Sequence, residues 1–72
     1  MLSFQYVEKY NAVQVYCDEE GLQALIAALE DVRSNGGHLH LRAPSGGGHD
    51  LSDETPFGEK AVSELIITTG GD

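Results

Sequence analysis

The chain is poor in cysteine, proline and basic residues. Its single cysteine, Cys17, excludes an internal disulfide and argues against a cysteine-ligated zinc site. A lone thiol also fits a reducing, cytoplasmic setting. Only Lys9, Arg33, Arg42 and Lys60 oppose twelve acidic residues, for a formal net charge of −8. So few cations make no phosphate-binding surface, so nucleic acid is not an expected partner. No apolar run approaches the roughly 20 residues that a membrane helix needs. Met1 to Tyr6 lacks the basic start and apolar middle of a secretory signal, so no membrane association is expected. Acidity suits plain solubility, or electrostatic steering toward a basic protein.

What is present fits one domain. A chain of 72 residues buries roughly 60% of its unfolded surface and holds one modest core. Leu22, Leu25, Ile26, Leu29 and Val32 fall within an arc of about 120° at helical spacing, which predicts a helix over Asp18–Ser34 with that stripe inward. Asp18 is suited to cap it, Glu19 and Glu20 suit the positive end of its dipole, Arg33 suits the other end, and Asn35-Gly36-Gly37 ends it. Val13, Val15 and Cys17 alternate with Gln14 and Tyr16 as a half-buried strand. Leu2–Glu8 is its expected hairpin partner, with Phe4 and Tyr6 on one face and a turn at Tyr10-Asn11-Ala12. His38–Arg42 and Ser63–Thr69 read as two further strands.

The order is therefore β-β-α-β-β, a small single α+β domain with one helix packed on a largely antiparallel sheet. Val13, Val15, Leu39, Leu41, Leu65 and Ile67 are expected to face the helix. Gln14, Tyr16, His38, His40, Arg42, Ile66 and Thr68 are expected on the open face, toward water, a second copy or another partner. Cys17 is expected to be a buried structural residue.

Between the last two strands lies a long loop over residues 43–59, of a length often tied to function. Pro44 and three glycines open it, and Asp50, Asp53, Glu54 and Glu59 make it acidic. Leu51 and Phe57 are its expected anchors, with Ser52 capping one turn through Asp53-Glu54-Thr55 before Pro56. Gly46-Gly47-Gly48 lacks the Lys-Ser/Thr of a phosphate loop, and Ser45 with His49 has no nucleophile elbow around it. No enzyme activity and no cofactor are expected. His38 and His40, with His49-Asp50, have spacing compatible with a small metal site. The competing reading has the two imidazoles hydrogen-bonding loop backbone, or carboxylates such as Asp50 or Asp53.

Three segments together resemble immunity protein family 32 of the bacterial polymorphic-toxin systems. They are Val15-Tyr16-Cys17-Asp18-Glu19-Glu20-Gly21-Leu22, then His38-Leu39-His40-Leu41, then Pro44-Ser45 with Gly47-Gly48 and Leu51. The resemblance covers residues 13–69 and leaves residues 1–12 outside the family-like core. It implies a strand-helix-strand-loop-strand fold and a cytoplasmic, non-catalytic protein that neutralises a cognate toxin, a nuclease being one such target. An aromatic residue usually follows Pro-Ser in the family; here Gly46 stands there. With the acidity, the resemblance directs attention to Asp50, Asp53 and Glu54 as anionic contacts and to Tyr16, His38 and His40 as contacts on the open face. The alternatives are a self-associating module, a homodimer among them, and a small metal-binding protein.

Overall fold

A computed structural model describes residues 1–70. The chain folds as an α+β domain in the expected order: β1 (Leu2–Val7), β2 (Ala12–Cys17), α1 (Glu19–Asn35), β3 (His38–Arg42) and β4 (Glu64–Thr68). In place of one continuous sheet there are two antiparallel pairs, β1 with β2 and β3 with β4. The pairs are stitched together by the chain between β3 and β4. Ser52 N–H donates to Leu2 O and Val62 N–H to Phe4 O, both at 2.8 Å, along the edge of β1 that β2 leaves free. Residues of the expected hairpin strand that lie outside the family-like segment thus form the centre of the core: Leu2 and Phe4 are 3% and 5% exposed. Ser3 is fully buried on the opposite face of the same strand, and its Oγ has no hydrogen-bond partner among the described residues.

Residues Glu8–Tyr10 make one 3₁₀ turn between β1 and β2, closed by Asn11 in the left-handed region (φ 48°), so the turn lies earlier than expected. Asp18 caps α1 by accepting the Gly21 N–H at 2.8 Å, and Gly36 (φ 71°) ends it, as the sequence indicates.

The inward side of α1 keeps only Leu25 and Val32 of the expected stripe. Gly21, Ala28 and Val32 are its buried residues and Leu25 is half-buried, whereas Leu22, Ile26 and Leu29 are 42–50% exposed. Small side chains allow the helix backbone to settle close to the strands, and the bulkier neighbours are turned to the flank. Val13 and Val15, expected against the helix, are 64% and 43% exposed. Cys17 is exposed rather than buried. The second hairpin follows expectation, with Leu41 buried and Leu39, Leu65 and Ile67 packed on the core.

Candidate functional site

The register of β3 and β4 pairs His38 with Thr68, His40 with Ile66 and Arg42 with Glu64. Alternation turns all six outward, on the face opposite α1. The His38 and His40 rings meet edge to face, with centroids 5.1 Å apart. His40 does not reach Asp50 or Asp53. Its Nδ1 lies 2.7 Å from Glu64 Oε2, and that same oxygen accepts from Arg42 Nε at 2.8 Å. Glu64 escaped sequence reasoning because nothing local marks it; only the cross-strand register places it between an imidazole and a guanidinium.

The Arg42 hydrogen bond, and secondly that from His40, holds the Glu64 carboxyl below its usual range. A carboxyl depressed in the folded state contributes stability above its ordinary value and loses it as pH falls through the depressed one. Glu64→Gln is therefore expected to melt below wild type at neutral pH. The gap between the two melting temperatures should close as pH falls through the carboxylate range. A gap that stays constant to acid pH would show that the charge contributes nothing.

The acidic loop is folded back on the end of this hairpin. Asp50 Oδ2 accepts the Arg42 N–H at 3.1 Å, and Asp50 N–H returns a bond to Arg42 O at 2.9 Å. Asp53 accepts the backbone N–H of Ser45 at 3.2 Å and its hydroxyl as well, and Ser45 Oγ also bonds Ser63 Oγ at 2.9 Å. Glu54 is exposed and bridges Lys60 through the backbone. Asp53 and Glu54 thus line one shallow groove with Ser45 and Lys60.

No helical turn forms at Asp53-Glu54-Thr55. The chain instead reverses through Thr55–Gly58, where Gly58 N–H donates to Thr55 O at 2.9 Å. The buried Thr55 hydroxyl accepts the N–H groups of Phe57 and Glu59, each at 3.2 Å, and takes over the role expected of Ser52. Leu51 anchors the loop as expected, joined by Thr55 and Ala61; Phe57 does not, being 77% exposed.

The six candidate residues fall into three places. His38 and His40 share one face, and Asp50, Asp53 and Glu54 lie on the loop at the end of the same hairpin. Tyr16 sits on the other hairpin, where its ring meets Phe57 edge-on at 6.0 Å and its hydroxyl donates to Gln5 Oε1 at 3.1 Å. His49 lines a different groove, beside Glu20 and Ala24 of α1. Among the described residues no group of three or more His, Cys, Asp or Glu is placed to hold a metal ion, and no helix is long and apolar enough to cross a membrane.

Charge is distributed unevenly across these places. Arg42 is engaged by Glu64, Arg33 by Glu30, Lys9 lies over the Tyr10 ring, and Lys60 lines the groove of Asp53 and Glu54. Among the described residues, no salt bridge involves Asp50, Asp53 or Glu54.

At Gly46 a Cβ would lie 2.6 Å from Ser63 O, so the aromatic residue of the immunity-protein motif has no room in this loop. No family model, curated protein or solved structure matches the chain.

Proposed function

We propose that the chain is a non-catalytic binding protein whose acidic loop and imidazole-bearing sheet face receive a cationic protein surface. In line with the motif resemblance, that surface belongs to a bacterial toxin domain, which the chain neutralises by covering it. The observation that carries this reading is the state of the loop carboxylates. Asp50 and Asp53 are oriented by neutral backbone and hydroxyl donors, and among the described residues no salt bridge reaches them or Glu54, while Lys60 lines the same groove as Asp53 and Glu54. Carboxylates held in place without an internal salt bridge are ready for charge-assisted bonds to arginine or lysine from outside. The −8 net charge raises the encounter rate with a basic partner. His38, His40 and Ile66 would contribute flat contact area beside the charges.

Where a neighbouring gene encodes a toxin domain, the test is protection of growing cells from that domain. The wild type is expected to protect. Glu54→Lys and Asp53→Asn, the latter keeping its acceptor oxygen for Ser45, are each expected to lower affinity about tenfold or more. Full protection by the double variant would remove the acidic loop from the mechanism, and failure of the folded wild type to protect would remove the toxin.

A further inference from the structure

A second surface, apart from the loop carboxylates, is open in the structure, with Pro56 and Phe57 of the loop bordering it beside Val15 and Cys17. In the β1–β2 ladder, the pair Met1–Asp18 is bonded (Asp18 N–H to Met1 O, 3.2 Å), so alternate residues along each strand turn their backbone groups away from the partner strand. On β1 the outward carbonyls of Leu2 and Phe4 are taken by Ser52 and Val62. On β2 the outward groups belong to Val13, Val15 and Cys17, and no hydrogen bond among the described residues reaches them. Edge strands are ordinarily blunted by lysine, proline or a bulge. Ala12–Cys17 contains no charge and no proline, and its register is unbroken.

Beside this edge lies the exposed flank of α1. Leu22, Ile26 and Leu29 continue into Glu19 at one end and Arg33 at the other, with spacings of 3, 4, 3 and 4 residues along one stripe. The stripe is on the β2 side. The opposite flank, Glu20 and Ala24, faces His49 and Asp50, and that loop segment runs to Ser52 on the edge of β1 away from β2.

We propose that β2 and this flank of α1 bind a second copy of the chain about a two-fold axis, β2 antiparallel to β2 and α1 antiparallel to α1. Three features select a second copy. The stripe is centred on Ile26 and carries opposite charges at its ends, so an antiparallel copy sets Glu19 beside the Arg33 guanidinium of the second copy, which its own Glu30 also contacts, and Ile26 against itself. Antiparallel pairing of β2 centred on Val15 sets Val13 against Cys17 of the second copy and opposes no like charges. A stable interface takes roughly 800 Å² from each partner, about one-sixth of the 5033 Å² surface of this chain, a share that one helix flank and one sheet edge can supply. The imidazole face and the loop carboxylates stay uncovered, so this pairing stands independently of the proposed function.

Sedimentation equilibrium from about 1 µM to 1 mM, with circular dichroism to confirm folding, tests it. The expected result is a dimer that tightens as salt screens the repulsion between two acidic copies, the reverse of binding to a cationic protein. Ile26→Glu should raise the dissociation constant at least tenfold. So should Val15→Pro, which removes an outward N–H and no β1–β2 bond. Arg33→Glu alone should weaken the dimer and Glu19→Arg/Arg33→Glu should restore it. A monomer throughout, a dimer indifferent to Ile26→Glu or to Val15→Pro, or a charge swap that fails to restore pairing would overturn the proposal.

Discussion

Gly21→Ala is expected to destabilise the fold by about 3 kcal/mol or more, although alanine is the better helix former by up to about 1 kcal/mol. A Cβ at this position would lie 1.7 Å from Met1 O and 2.5 Å from Met1 C, backbone atoms of the residue that precedes β1, whose carbonyl accepts the Asp18 N–H. Relief requires α1 to move away from β1. That movement strains the Asp18 cap on Gly21 N–H and the Asp18 N–H bond to Met1 O, and it loosens the packing of Ala28 on the core. A domain of this size has roughly 4–10 kcal/mol in total, and each kcal/mol moves the melting temperature by about 4–8 °C. A fall well beyond 10 °C should therefore appear in thermal unfolding followed by circular dichroism. A rise would mean that helix propensity wins and that the helix does not press on β1.

The second large effect is expected at the loop. Gly46→Phe, which supplies the aromatic residue of the immunity-protein motif, has to displace the Ser63 carbonyl. The displaced oxygen is the acceptor for Ala43 N–H at 2.9 Å, and Ser63 also bonds Ser45, which carries Asp53. One substitution therefore undoes the bond that closes the β3–β4 hairpin and the brace of the acidic loop, for about 2–3 kcal/mol. Gly47→Asn is the matched control: Gly47 has φ 87° with open space around it, and asparagine tolerates that region best of the non-glycine residues. Proteolysis at Lys60 should accelerate in Gly46→Phe and stay near wild type in Gly47→Asn. Equal rates would mean that the loop does not depend on the close approach at Gly46.

These two glycines also mark where sequence reading reaches its limit. Periodicity locates α1 and both strands of the second hairpin, because the alternation of Leu39 and Leu41 with His38 and His40 is a local signal. It misassigns part of the inward side of α1, since close approach through Gly21 and Ala28 leaves no hydrophobic signature and the larger Leu22, Ile26 and Leu29 dominate the pattern. The expected partners of His40 were nearby in sequence, whereas Glu64 comes from 24 residues away through strand register. Asp50, Asp53 and Glu54 were legible as an acidic cluster. Their orientation by Arg42 and Ser45 backbone groups was not, because those bonds depend on how the loop returns to the end of the hairpin. Tyr16 separates from the imidazoles because the four strands form two pairs.

The separation of surfaces has a functional consequence. Hairpin β3–β4 presents charge and imidazoles on one side, while β2 and α1 present apolar groups and a free backbone edge on another. A partner held mainly by carboxylates and a partner held by sheet extension respond to salt in opposite directions, so the two associations are separable in one titration.

The decisive measurement is the association rate of this chain with a cationic toxin domain of the kind proposed above, followed across ionic strength. Steering by Asp50, Asp53 and Glu54 requires the rate to fall about tenfold or more from low salt to about 0.5 M, with Glu54→Lys slower than wild type at low salt and converging on it at high salt. A rate independent of salt, or a Glu54→Lys variant that associates as fast as wild type at low salt, would contradict the account.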